Sequence, residues 1–302
     1  MKTTMAAVNE TTSARALNGL GPKITLKQAD QPMEKQAAKV ASKPARKSSG
    51  QGFNMRHYAF GAFSILCGLV LWQVLSMFST PLFLPSPATT WNGALELWND
   101  GTLTGAVLAS GARILIGWTI GVVVGVPLGI FMGHYRIVRQ FFEPYIEFFR
   151  FIPPIAFVTL AVIWMGPGEV SKISLIFYTT VFIVTLNTLA GALAVPELRL
   201  RAAAALGANK LTTLWTVVVP SAVPYMVTGA RIAMGNSFLT IVSAEIVAAE
   251  QGLGALIWIA RNYARTEWVF AGIIVLGLMG FVFDRILRLA TQKLLKRYGV
   301  ST

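Results

Sequence analysis

The chain has 302 residues, of which 54% are apolar and only 13% charged. Soluble domains carry about 25% charged residues, so lipid rather than water is expected around much of it. The net charge of +13 does not point to nucleic acid, because ten of the 26 basic residues lie in residues 1–58 and five in 285–302, flanking apolar runs as cytoplasmic segments of a membrane protein do.

Residues 1–57 are rich in Ala, Lys, Ser and Thr and hold no apolar run. They read as a disordered basic cytoplasmic tail, with contact to anionic lipid headgroups as an alternative role. The missing apolar stretch argues against a secretory signal. Residues 58–302 read as a membrane domain. Six apolar segments are expected as transmembrane helices: Tyr58–Phe78, Gly111–Met132, Tyr145–Met165, Ile173–Val195, Tyr225–Val247 and Val269–Leu289. Each runs about 20 residues, enough to cross roughly 30 Å of hydrocarbon, and runs of this length favour helices over barrel strands. The expected class is an all-α polytopic membrane protein.

With the N-terminus inside, inner segments hold twenty Lys and Arg, and outer loops hold three, Lys172, Arg261 and Arg265. Arg113, Arg150 and Arg231 fall within or at the ends of spans. This split predicts that both termini are cytoplasmic. The outer loop 79–110 contains FLPSPATTW and carries Pro81, Pro85 and Pro87, spaced so that no helix is expected to run through them. After these prolines, Thr89–Trp98 is expected as a short interfacial helix, with Trp91 and Trp98 at headgroup depth.

The second span carries Gly117, Gly121, Gly125, Gly129 and Gly133, one stripe at four-residue spacing. Such a stripe admits another helix closely, within or between subunits. Pro127 in the same span predicts a bend. Pro153-Pro154 predicts a turn or broken helix near the inner surface, and Glu147 with Arg150 upstream are spaced to pair on a helix face. Cys67, alone in an apolar run, is expected only to pack. His57 and His134 read as interfacial. Arg231, Glu245 and Asp284 lie in or near spans. Charge there is by default a functional hint, but most of these positions are near helix ends, where snorkelling lowers the cost. No dense Asp, Glu and His relay of the kind expected in a proton-coupled carrier is present.

Between two spans sits RAAAALGANKLTTLWTVVVP, Arg201–Pro220. Arg201–Leu206 are helix formers, Gly207 suits a helix end, and Lys210–Val218 can form a second helix that Pro220 ends. An ordinary loop would carry more Gly, Ser, Asn or Asp. The segment reads as a cytoplasmic knob that docks on a partner. The chain has no GxxxxGK[ST], HExxH, CxxC or GxSxG, so nothing in it supports catalysis, a bound nucleotide or a metal.

Arg201, Ala202, Ala203, Gly207, Val217, Val219 and Pro220 stand at the spacing of the EAA signature (Glu-Ala-Ala, three residues, Gly, nine residues, Ile, one residue, Leu, Pro). This signature marks permease subunits of bacterial ATP-binding-cassette importers. Arg201 replaces the Glu, and valines replace the Ile and Leu. The stretches LPSPATTW, RILIGWTIGVVVGVPLGIFMG, FFRFIPPIAF, GPGEVSKI, PYMVTGARIAMG, SAEIVAAEQGLG and VFAGIIVLG resemble the nitrate/sulfonate/taurine branch, from about Tyr58 to Leu295. RLRAAAALGA with AEIVAAEQGLG is most similar to the taurine permeases.

The resemblance implies a type I importer permease fold, with a core near 104–290. Arg201, Ala202, Ala203, Gly207, Ala208 and Pro220 would form the coupling loop. The implied partners are a second permease copy, two cytoplasmic ATPase subunits that hold the ATP and Mg, and a periplasmic or lipid-anchored binding protein. The implied location is the bacterial inner membrane, and the implied solute is a small anion such as taurine, another sulfonate or nitrate. The competing reading is an ion-coupled carrier working without an ATPase.

Overall fold

The computed structural model describes residues 55–297. Up to residue 54 the expected tail lies outside the described residues, and helix already begins at Met55. The chain divides into two units, residues 1–62 and 63–302. The described part of the first is one end of helix α1, Met55–Met77; every later helix belongs to the second.

Every described element is helical. After α1 come α2 (Pro87–Asn99), α3 (Thr102–His134), α4 (Arg136–Phe149), α5 (Pro154–Met165) and α6 (Glu169–Leu193). Then follow α7 (Glu197–Ala205), α8 (Lys210–Thr213), a π-helical turn (Leu214–Val218), α9 (Val219–Ala248), α10 (Leu253–Asn262) and α11 (Thr266–Arg297). Among the described residues five helical runs are long and apolar enough to cross a membrane, α1, α3, α6, the unbroken stretch Lys210–Ala248 and α11, and a sixth if the bent pair α4–α5 counts as one span.

The span expected over Tyr145–Met165 is not one rod. Pro153 and Pro154 supply no N–H, and the chain bends by 99° between α4 and α5. The Tyr178 hydroxyl donates to the carbonyls of Phe149 (2.6 Å) and Ile152 (3.3 Å), clipping the bend to α6. With 12 residues, α5 is about 18 Å long, short of the roughly 30 Å a lone span needs. No ion pair joins Glu147 to Arg150 among the described residues; Arg150 stacks 4.5 Å from the Phe151 ring centroid instead.

Three other expectations shift. Pro220 does not end a helix: it follows the π-helical turn Leu214–Val218 within the continuous helical stretch Lys210–Ala248, where the α-helical hydrogen-bond ladder is already interrupted. Residues 253–262, expected as outer loop, form α10, which buries Leu253, Leu256 and Ala260. Cys67 is exposed on α1 rather than packed within the chain. Pro127 lies inside α3 without ending it. In the outer stretch, Ser86 caps α2 by accepting from the Thr89 N–H at 3.1 Å, and Trp91 and Trp98 are exposed.

The densest packing is α3 on α6 and α6 on α9. A Cβ built on Gly117 would stand 2.7 Å from Ile176 Cβ, one on Gly121 2.5 Å from Thr180 Cβ, and one on Gly125 3.0 Å from Val184 Cβ. A Cβ on Gly129 would stand 2.7 Å from Thr188 Cβ, and one on Gly133 would collide with Ala192. Five positions of α3 thus oppose five of α6, both rows advancing by four residues, so the two backbones nearly touch within one chain. The α6–α9 crossing repeats the device: Gly191 lies against Tyr225 and Gly229 against Asn187. Gly125→Leu is therefore expected to lower stability by about 1–3 kcal/mol or more, read as a fall in the thermal transition of the purified protein; an unchanged transition would contradict the close approach.

Candidate functional site

Two features stand out, one at each end of α6. At the C-terminal end, three residues lead from Leu193 into α7. Helix α7 closes with Gly207 at φ +79°, donating to Ala204 O at 3.0 Å, while Ala208 donates to Ala203 O at 3.0 Å. These two bonds form a Schellman motif, which only a residue at ease with positive φ closes cheaply. Asn209 caps α8 by accepting from the Thr212 N–H at 2.7 Å. Helix α7, the Gly207 turn and the α8–π segment therefore make a stiff elbow. Arg201 pairs with Glu197 at 2.7 Å, one turn apart, with both side chains in solvent. Leu206 is 88% exposed, and Leu198, Leu211 and Trp215 are exposed as well. A groove of about 670 Å³ runs between α7 and the start of α9, lined by Ala202, Ala203, Ala208, Val217 and Pro220 among others.

At the N-terminal end of α6 lies a buried ionic cluster that sequence reasoning did not assemble. Arg113 of α3 donates through Nη1 to Glu245 Oε1 of α9 at 2.7 Å and to the Gln251 carbonyl at 2.6 Å. Its other edge grips Glu169 of α6, Nε to Oε2 at 2.5 Å and Nη2 to Oε1 at 2.7 Å. Lys172 donates to Glu169 Oε1 at 3.2 Å. Glu245 is fully enclosed. It accepts the Gly254 N–H at 2.9 Å and the Ser110 hydroxyl at 2.8 Å, and that hydroxyl accepts the Leu253 N–H at 2.9 Å. Gly252 leaves no room for a Cβ against the Glu245 carboxylate, and Gly254 brings its backbone equally close, which explains the glycines of EQGLG. The cluster holds two cations and two carboxylates and is neutral. Arg113, Lys172 and Glu245 do not snorkel: they are buried and matched, as a low-dielectric interior requires. Lys172 belongs to α6 and not to a loop. A signal was present in the sequence, since opposite charges within apolar runs must find one another; the pairing was not readable from spacing, because 132 residues separate Arg113 from Glu245.

Further charges near the spans are paired as well. Arg231 of α9 meets Asp284 of α11 at 2.8 Å, both half-exposed. Arg265 is shared by Glu96 of α2 (2.6 Å) and Glu267 (2.5 Å); hydrogen bonding to Glu267, then to Glu96, raises its pKa further. Arg265 is thus not a free cation for a solute, and Arg261 stacks over Trp258 at 4.9 Å.

Helices α6 and α9 also frame two cavities. One of about 590 Å³ lies by the ionic cluster and is lined by Arg113, Glu169, Lys172, Glu250 and Gln251 among others. The second, about 580 Å³, lies against the α4–α5 bend and carries Arg150, Tyr178, Thr179, Asn236, Thr240 and Ser243. Among the described residues no group of three or more His, Cys, Asp or Glu could hold a metal.

Apolar helices of spanning length, glycine-packed and joined by an exposed helical elbow, define a polytopic membrane protein. Residues 125–296 match the family described as the inner membrane component of binding-protein-dependent transport systems, and the chain belongs to that family. It is 37% identical to the taurine transport system permease protein TauC of Escherichia coli K12, over 80% of this chain and 90% of the relative. It is 34% identical to a probable ABC transporter permease protein of Brucella melitensis, over 82% and 97%, and 32% identical to the nitrate import permease protein NrtB of Synechocystis, over 74% and 84%. In fold it is similar to a chain of the MetNI methionine ABC transporter in an inward-facing conformation, with a TM-score of 0.53 and 20% identity over 63% of this chain and 97% of that one. Membership decides for an ABC permease subunit over an ion-coupled carrier.

The ionic cluster makes a quantitative expectation. Glu245→Ala leaves Arg113 and Lys172 sharing one carboxylate, with a buried positive charge uncompensated, and is expected to cost about 3–5 kcal/mol. Arg231→Ala breaks a half-exposed pair and is expected to cost about 1 kcal/mol or less. Thermal unfolding of the two purified variants side by side checks the contrast; equal losses would contradict it.

Proposed function

We propose that the chain is the permease of an ATP-driven importer, acting as one half of a homodimer with two cytoplasmic ATPase subunits. Each ATPase receives one elbow, with Arg201, Ala202, Ala203, Gly207, Ala208 and Pro220 in the coupling loop. A periplasmic or lipid-anchored binding protein delivers the solute on the opposite side. Both termini lie in the cytoplasm, residues 1–57 as a tail and residues 58–302 as the membrane domain, with the transport core near 104–290. ATP and Mg belong to the partner, and ATP is hydrolysed there. The solute is a small oxyanion, of the class formed by taurine, other sulfonates and nitrate, in line with the names of the relatives.

The observation that carries this reading is the stiff elbow directly beyond the end of α6. Its exposed Leu206 and Trp215 give a partner an apolar grip, and its Schellman closure lets force applied at the tip reach α6 without being absorbed by a flexible loop. Nucleotide-driven movement of the elbow then becomes movement of a packed helix, the kind of two-state rigid-body shift that alternates access.

Gly207→Pro tests it. Proline fixes φ near −65°, whereas Gly207 sits at +79° and uses its N–H to close α7. The variant is expected to insert normally yet lose more than about tenfold in ATP-driven uptake, because a distorted elbow transmits less of the stroke. Uptake is read in proteoliposomes holding the permease, its ATPase and its binding protein. Undiminished uptake, or uptake by the wild-type chain alone on an ion gradient, contradicts the reading.

A further inference from the structure

We infer that Glu169 is a resident carboxylate occupying an oxyanion-binding site formed by Arg113 and Lys172, and that the transported oxyanion displaces it. This rests on the importer reading. Burial within the cluster is asymmetric. The side chains of Arg113 and Lys172 are 6% and 5% exposed, whereas that of Glu169 is 55% exposed. Both cations and Glu245 are built into the protein, and Glu169 alone comes from the solvent side.

Arg113 is fixed from behind. Its Nη1 is committed to Glu245 and the Gln251 carbonyl, and Glu245 is held in turn by Ser110 and Gly254. The Nε–Nη2 edge remains, a planar fork holding two oxygens of one carboxylate. That fork fits any anion presenting two oxygens side by side, and a sulfonate or nitrate does so as well as a carboxylate. Lys172 adds a point charge on the same oxygen.

Glu169 can leave. It is the first residue of α6, preceded by Gly166, Pro167 and Gly168, and open space surrounds the Cβ position of both glycines. Its side chain faces the cavity of about 590 Å³ that Arg113 and Lys172 also line. No comparable freedom exists for Glu245, which is wrapped by Gly252 and Gly254. An incoming oxyanion exchanges one anion for another on the same fork, so Arg113 is never left without a counter-charge, and the released carboxylate gains water. The second cavity, lined by different residues of α6 and α9, is mostly apolar and carries the polar groups of Arg150, Thr179, Asn236, Thr240 and Ser243.

The test measures methanesulfonate binding by calorimetry to the assembled transporter in lipid nanodiscs, without binding protein. Glu169→Gln weakens the internal competitor, since hydrogen bonds to a charged group exceed neutral ones, and is expected to tighten methanesulfonate binding by about tenfold. Lys172→Met removes one cation while its chain still fills the buried space, and is expected to weaken binding by a similar factor. Affinity equal to wild type in both variants, weaker binding in Glu169→Gln, or no binding to wild type and Glu169→Gln alike overturns the inference. Should Glu169→Gln fail to accumulate, Lys172→Met decides alone: unchanged affinity overturns the site, and weakened affinity supports it. ATP-driven uptake by wild type, measured separately, distinguishes this failure from failure of the importer reading, because unchanged affinities beside active transport sink only the oxyanion site.

Discussion

A guanidinium buried in an apolar bundle cannot be left without counter-charge, and Arg113 meets that constraint by drawing three helices together. It stands on α3, binds Glu169 on α6 and Glu245 on α9, and reaches the backbone at Gln251 just before α10. Arg113, Lys172 and Glu245 are buried and have no water to stabilise them apart, so the ends of these helices are tied more strongly than apolar packing between lipid-like surfaces could tie them. The location of the cluster is set by the glycines at 252 and 254, which bring the chain tightly over Glu245.

Below that tie, helix α6 acts as a shared spine. The α3 glycines fit against its Ile176, Thr180, Val184, Thr188 and Ala192, and its Gly191 and Asn187 fit against α9. β-branched side chains are stiff in helices, so ridges of Ile, Thr and Val seated in glycine grooves resist sliding. With 25 residues, α6 is about 37 Å long, running from the ionic cluster to within four residues of α7. A displacement at the elbow cannot be taken up by soft side chains along this rod; it must appear as a movement of α6 relative to its neighbours or be blocked. The cluster at the far end is the stiffest point in its path, and the only member of it with solvent on one side is Glu169.

The helical class, the ends of most spans and the elbow were legible because they depend on local signals: run length, helix-breaking prolines and the Gly207 stop. The four-residue glycine repeat signalled a close helix contact, but its partner was beyond sequence spacing, because α6 shows its matching row as ordinary Ile, Thr, Val and Ala. The break expected at Pro153-Pro154 is present as a 99° bend; what misled was counting Tyr145–Met165 as one span across it, because its apolar length matched a span. Pro220 misled in the opposite sense: the π-helical turn at Leu214–Val218 interrupts the α-helical ladder just ahead of it, so its missing N–H does not stop the helix and the chain runs on into α9. Arg113 and Glu245 were visible as charges but not as a pair. Snorkelling depends on depth and on neighbours, and only tertiary packing decides whether a charge near a helix end reaches water or another charge.

Arg201 is the chain's departure from the EAA signature, and the geometry of α7 narrows what that departure changes. Glu197 lies one turn earlier on the same helix face and bonds Arg201 at 2.7 Å. The face therefore keeps a carboxylate, displaced by one turn of about 5.4 Å and joined to a cation. Both groups are exposed, so the pair itself adds little to stability. The Arg–Glu arrangement instead alters what a docking groove meets: a neutral, hydrogen-bonded couple in place of a lone negative charge. A groove tuned to a single acidic residue gains nothing from it, whereas a groove offering both a donor and an acceptor can open the internal pair and rebuild it across the interface. The apolar crest at Leu206 and Trp215 and the Gly207 closure are independent of that exchange. In the coupling role proposed for the elbow, charge at residues 197 and 201 would therefore serve the choice of partner more than the transmission of a stroke, which would rest on the backbone geometry at Gly207.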